Sequence, residues 1–164
     1  MKKPIYAIAI QNCETKTESS SEFKMAVGSL NFSRQNSIKI ISVDLHKPNE
    51  NQYQHPDSFI TSKQTRQFDF EFFHEYPPTK LIWSPQNVNF NILASASDSI
   101  KLWHIKDNNS EDLIWDSSFL KAKSVQEGFL EPPVVTSFDW NRHSPNLIVG
   151  AGIEKICTIW DFEQ

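Results

Sequence analysis

The sequence predicts an all-β fold, and three observations carry that expectation. Short runs with period-2 alternation recur along the 164 residues, and no segment sustains a helical apolar stripe over three turns. Aromatic residues make up 12%, with 12 Phe, 5 Trp and 3 Tyr, more apolar surface than disordered chains carry and enough for a packed core. Trp-bearing strands also recur at one fixed spacing, Trp83 to Trp140 and Trp103 to Trp160.

Taken in order, Ile5–Ile10 is an unbroken apolar run, followed by the turn-rich polar stretch Asn12–Ser21. Phe23–Leu30 and Ser37–Leu45 are the next two strand candidates, the second rich in Ile and Val. Residues His46 to Gln67 are polar and poorly patterned, which predicts an inserted loop. Phe68–Phe73 alternates Phe with acids, and Pro77-Pro78 precedes Thr79–Ser84. Asn91–Ser97 and Ser99–Ile105 flank a tight turn, and Asp112–Leu120 follows the turn-rich Lys106–Ser110. A second long loop closes on Glu127–Pro133, before Val134–Trp140, Asn146–Ala151 and Ile156–Phe162. With four Gly against nine Pro, the tight turns must fall to Asn, Ser, Asp and Pro.

Self-comparison turns this strand list into a repeat. Ser99-Ile-Lys-Leu-Trp103-His-Ile matches Ser37-Ile-Lys-Ile-Ile41-Ser-Val and, more loosely, Lys155-Ile-Cys-Thr-Ile-Trp160-Asp-Phe. Thr79-Lys-Leu-Ile-Trp83 matches Thr136-Ser-Phe-Asp-Trp140, and Asn91-Ile-Leu-Ala-Ser-Ala matches Asn146-Leu-Ile-Val-Gly-Ala. Each unit holds a strand ending in Trp, a small-residue strand, a tight turn and a strand carrying Trp or Ile. Four antiparallel strands per unit with a late Trp, and Trp160-Asp161 in the last copy, form the blade signature of WD40 propellers.

The stretches Tyr76–Pro85, Ile92–Asp98, Val135–Asn141 and Cys157–Trp160 together resemble the WD40 adaptors of the Transparent Testa Glabra type. The animal counterparts of those adaptors are WD-repeat proteins that bind dual-specificity kinases. Met25–Ser29 and Ile38–Leu45 are similar to the first repeat of that family. The resemblance covers nearly the whole chain except His46 to Gln67, and it implies a seven-bladed, non-catalytic scaffold. The chain itself accounts for about three blades: one over about 5–73 with the insertion 46–67, one over about 79–120, and one over about 134–162 without its last strand. A closed propeller has at least four blades, so further blades of a missing C-terminal part, or other chains, are expected to complete the ring. An open array leaves two apolar faces, which predicts a marginal, oligomeric or aggregation-prone chain.

Composition narrows the function. Sixteen Lys and Arg against 20 Asp and Glu give a net charge of −4 with no basic stripe, so direct nucleic-acid binding is not expected. The longest apolar run has six residues, far short of the roughly 20 a membrane-spanning helix needs, and no signal peptide is legible. Cys13 and Cys157 are the only thiols, without CxxC spacing, which fits a reducing cytoplasmic or nuclear setting and no zinc.

Four residues stand out chemically. His74, Ser95, Asp98 and Trp103 occupy the places where WD40 blades share buried hydrogen bonds, with Asp98 accepting from turn amides and His74 linking its loop to the indole. The same residue types could compose a Ser-His-Asp triad, but there is no Gly-x-Ser-x-Gly elbow to expose a nucleophile. The structural reading is therefore expected, with no catalytic, metal or cofactor site. Trp83, Trp140 and Trp160 are expected, with Trp103, to be largely buried between blades. The third repeat has Glu154 near its turn and no matching His, so its network is expected to be incomplete. The remaining His residues, 46, 55, 104 and 143, show no ligand spacing, and Ser19–Glu22 reads as a loop.

The function implied by the resemblance is a scaffold that docks kinases or transcription regulators. A substrate receptor of a cullin ubiquitin ligase is the alternative, as is a truncated fragment without function. Such receptors often carry Trp-Asp-x-Arg at a blade end; here Trp160-Asp-Phe is followed by Glu163 and Trp103-His-Ile by Lys106.

Overall fold

The computed structural model describes residues 4–11, 20–33, 35–46, 65–85, 91–106, 108–117, 134–153 and 157–162. Among them are eleven strands and no α-helix: β1 (Ile5–Ile10), β2 (Ser20–Ser29), β3 (Asn36–His46), β4 (Thr65–His74), β5 (Lys80–Trp83), β6 (Ile92–Ala96), β7 (Ile100–Lys106), β8 (Ser110–Asp116), β9 (Val135–Trp140), β10 (Leu147–Gly152) and β11 (Cys157–Asp161). They build three antiparallel sheets, β1-β2-β3-β4, β5-β6-β7-β8 and β9-β10-β11, each a simple meander. β1, β5 and β9 are the inner strands, and each packs on the next. This is the blade arrangement of a partial β-propeller.

Period-2 alternation gives the middle sheet two apolar faces. Leu81, Trp83, Leu93 and Ile105 face the first sheet, packed with Ala7, Ala26, Ile38, Ile40 and Phe72. Ala94, Ala96, Ile100 and Leu102 face the third, packed with Phe138, Trp140 and Ile148. Burying each large side chain contributes about 1.5–3 kcal/mol, so these two seams hold the array together. Small residues let the sheets approach: a Cβ on Gly28 would collide with the ring of Pro78, the fully buried proline of the β4–β5 linker. Polar ties cross both seams. Trp83 Nε1 donates to Ala9 O at 3.2 Å, Lys80 Nζ to Phe138 O at 2.6 Å, and Thr79 Oγ1 to Val135 O at 3.2 Å.

Register explains the spacing of the tryptophans. Trp83 pairs with Leu93 and Trp140 with Ile148, so the β9–β10 connection is two residues shorter than the β5–β6 one. Ile100 pairs with Ala96 and Cys157 with Ala151, so the β10–β11 turn is two residues longer than the β6–β7 turn. The two offsets cancel before Trp103 and Trp160.

Several expectations are corrected. β2 starts at Ser20, inside the stretch read as a turn, and His46 and residues 65–67 belong to β3 and β4 rather than to the inserted loop. The ladder runs through Ser42↔Gln67 and Asp44↔Thr65, and continuing it satisfies backbone groups that polar side chains hide from a pattern search. Residues 47–64, the loop Glu127–Pro133, Cys13 and Glu154 lie outside the described residues. Trp83 and Trp140 are buried, but Trp103 and Trp160 are half-buried. The latter pair sits on the third strands, toward the outer edge of the sheets, where the neighbouring sheet covers only part of an indole. One turn matches the glycine shortage directly: Asn109, between β7 and β8, has φ of 59°.

Candidate functional site

His74 is the last residue of β4, paired with Asn36 of β3. It therefore belongs to the first sheet, yet its ring points into the second. His74 Nε2 lies 3.1 Å from Ser95 Oγ on β6, and Trp103 Nε1 on β7 donates to the same oxygen at 2.9 Å. His74 Nδ1 lies 2.5 Å from Tyr76 O. A carbonyl only accepts, so Nδ1 carries the proton and donates to Tyr76. Nε2 then accepts from the Ser95 hydroxyl, which in turn accepts from the indole. Every member has a direction, and the chain of bonds runs from Trp103 through Ser95 and His74 to the linker backbone.

The network is dry. His74 is 2% exposed and Ser95 is fully buried. Phe72 packs on Trp103 with ring centroids 5.0 Å apart, and His74 stands 6.1 Å from the indole. Burial is the largest effect on His74 and drives its pKa below the ordinary 6.5, against the opposing Tyr76 carbonyl bond. The imidazole is thus held neutral, in the one tautomer that satisfies both neighbours.

Asp98 does not touch that chain. It sits in the β6–β7 turn, where its carboxylate accepts from Ser97 Oγ at 2.8 Å and Lys101 Nζ at 3.2 Å. Desolvation raises its pKa, but the bonds from Ser97, Lys101 and its own amide outweigh it and hold the value below 3.8. Of the four residues singled out from sequence, the structure brings three together and places the fourth beside the next turn. A triad would need the carboxylate at His74 Nδ1, and the Tyr76 carbonyl occupies that position. It would also need an accessible nucleophile, whereas Ser95 Oγ is buried and already accepts the indole proton.

The corresponding positions in the other sheets are not polar. Gly150 stands at the Ser95 position of β10, and a Cβ there would lie 2.6 Å from Trp160 Cζ3, so the six-membered ring of the indole takes the space of the missing side chain. In the first sheet, Val27 and Ile41 take the places of Ser95 and Trp103. Trp140 Nε1 donates instead to Pro145 O at 2.7 Å, within its own turn.

One end of the array gathers the β2–β3, β6–β7 and β10–β11 turns and the β4–β5 linker, because each sheet runs in the same sense. Its best-braced turn centres on Asn36, a residue that sequence reading missed. Asn36 Oδ1 accepts from Asn31 N at 2.6 Å, and its Nδ2 donates to Asn31 O at 2.8 Å and Glu75 O at 3.2 Å. That clamp holds Phe32 out in solvent, 91% exposed, and Ile153 stands exposed on the equivalent turn of the third sheet. The only signal for it was the Asn31–Asn36 flanking of a turn between two strands. Among the described residues no group of three or more His, Cys, Asp and Glu is placed to hold a metal, and no helix is long and apolar enough to cross a membrane.

Fold and repeat together make this chain a partial β-propeller, with its three sheets arranged as consecutive blades. No protein-family model matches the chain. It is similar to the DDB1- and CUL4-associated factor 7 homolog of Dictyostelium discoideum, 35% identical over 115 residues, covering 65% of this chain and 32% of that protein. WD repeat-containing proteins of Schizosaccharomyces pombe (34% identical, 53% of this chain and 20% of that one) and Saccharomyces cerevisiae (28%, 54% and 19%) also match. The matched stretches thus span a third or less of these relatives. Among solved structures, Sqt1 of Chaetomium thermophilum superposes with a TM-score of 0.51 at 11% identity, over 98% of this chain and 44% of that one, a likeness of fold alone.

Proposed function

We propose that the chain is a non-catalytic protein-interaction scaffold of the WD40 type, one that docks kinases or transcription regulators as the Transparent Testa Glabra adaptors do. The observation that carries the reading is the division between a dry interior and a presented rim. The polar groups that could do chemistry are consumed in a buried His74–Ser95–Trp103 chain. The exposed apolar side chains Phe32 and Ile153 stand on turns at one end. Large apolar side chains presented to solvent on turns, one of them braced by Asn36, suit a hot-spot contact with a partner.

A second reading draws on the name of the Dictyostelium relative, which associates that protein with DDB1 and CUL4. Against it stands the lack of Arg after Trp160-Asp-Phe, where Glu163 follows instead. Pull-down from native extract separates the two. The scaffold reading predicts recovery of kinases or transcription regulators, lost in the double variant Phe32→Ala, Ile153→Ser with the fold intact. Stoichiometric recovery of a ligase adaptor without those classes reverses the ranking.

A further inference from the structure

We propose that the outer edge of the second sheet carries a docking site for a segment of a partner protein, one that presents apolar side chains between Lys or Arg residues. The site is separate from the turn surface of Phe32 and Ile153. It lies on β8, in the middle sheet, which has a neighbouring sheet on each face. β8 is bulged: Leu102 pairs with Trp115 and Trp103 with Leu113, so Ile114 is the extra residue, and Leu113 and Ile114 together oppose one indole. Leu113 is 46% exposed and Ile114 50%.

The first sheet shows that the fold does not ask for an apolar residue there. β4 has the same bulge at the same place: Ile40 pairs with Phe70 and Ile41 with Phe68, which leaves Asp69 as the extra residue. Ile41 stands where Trp103 stands in the repeat, so Asp69 and Ile114 are equivalent. Ser42 Oγ donates to Asp69 Oδ2 at 2.6 Å, and Asp69 stays partly exposed although a complete four-stranded sheet follows it. A bulge position thus remains open to solvent when the next sheet is whole, so the exposure of Ile114 does not come from the short third sheet. Edge strands are normally blunted with charged side chains. Asp69 conforms to that pattern and Ile114 departs from it.

The occupant follows from what surrounds Ile114. Trp103 is half-buried and opposes Leu113, Phe72 packs on the indole with ring centroids 5.0 Å apart, and Phe70 lies 6.0 Å beyond Phe72. Phe70 and Trp103 come from the two sheets that flank the first seam, so both walls of this apolar strip belong to the chain. Carboxylates border it. Asp112 is paired with Lys106 and Glu71 with Lys39. Glu111, beside Asp112, forms no ion pair among the described residues, and Asp69 is met by a hydroxyl rather than a cation. An apolar centre with unneutralised acids on its rim complements apolar side chains flanked by cations, and it repels an acidic segment.

The probe is a random dodecapeptide library displayed on phage, first depleted on the Ile114→Asn variant and then selected on the native 164-residue chain. Ile114→Asn is the neutral isostere of the residue that the first sheet carries, so it keeps the fold, as far-UV circular dichroism would verify. Depletion also removes peptides that settle on the uncovered faces at either end of the array. The expected survivors carry one or two apolar residues flanked by Lys or Arg. A labelled survivor, followed by fluorescence anisotropy, should bind Ile114→Asn and Leu113→Ser at least about tenfold more weakly than the native chain, the effect of losing one modest hot spot. Glu111→Lys should weaken it as well, and by less as salt is raised to about 0.5 M, where charge attraction is screened. Survivors that are acidic or uncharged, or no survivors at all, overturn the proposal. So does a doubled chain mass in light scattering that Ile114→Asn abolishes, since the patch then belongs to a second copy. The Phe32→Ala, Ile153→Ser variant should hold the peptides unchanged, so failure here and failure of the scaffold reading are distinguishable.

Discussion

Ser95 carries two bonds that have no substitute. Its hydroxyl accepts from the half-buried Trp103 and donates to His74, with serine and imidazole both out of water. Ser95→Ala takes the partner from the indole N–H and leaves a buried imidazole nitrogen unpaired, the latter at about 1–3 kcal/mol. Urea unfolding should show a clear fall in midpoint with the slope unchanged. Gly150 at the equivalent place predicts the opposite chemistry: Gly150→Ala pushes a methyl into the Trp160 ring and lowers stability through overpacking, of order 1–3 kcal/mol, with no polar loss. His74 adds a pH dependence whose sign is fixed. Its folded pKa lies below 6.5, so the unfolded state takes up a proton first. Stability is then full above pH 6.5 and lost as pH falls through the lowered folded value. Asp98, held below 3.8, acts only in more acid solution, where its contribution is lost as the carboxylate protonates. A stability profile against pH should decline below 6.5 in the native chain, and His74→Gln should flatten that part alone.

At the scale of strands and sheets, legibility followed periodicity. Val135–Trp140 and Ile100–Lys106 were plain because alternating apolar residues report a half-buried strand directly. The ends of β3 and β4 were not, since their ladder is continued by Thr, Arg and Gln whose backbone pairing leaves no pattern in side-chain polarity. His74, Ser95 and Trp103 could be named from the repeat, but repeat position does not say which acceptor reaches Nδ1, which is the carbonyl of Tyr76 in the linker. Asn36 was missed because a buried side-chain clamp on a turn resembles any polar loop residue until its partners are placed. It carries its own prediction: Asn36→Ala removes the bonds to Asn31 and Glu75, so hydrogen exchange at Asn31 should quicken and thermal stability should fall.

Across the whole molecule, consecutive sheets are locked edge by edge, with His74 of the first sheet bonded into the second. Trp83 to Ala9 O does the same at the inner edge, and Lys80 to Phe138 O joins the second sheet to the third. Such an array is all-β, and far-UV circular dichroism with substantial helix would be incompatible with it. The most direct test of the lock is a double-mutant cycle on His74→Ala and Ser95→Ala, read by urea unfolding with tryptophan fluorescence. The structure predicts that the two losses are strongly non-additive, with a coupling energy of about 1–2 kcal/mol between sheets, because either change alone breaks the same bond chain. Additive losses within about 0.5 kcal/mol, or two variants that unfold as the native chain does, would contradict it.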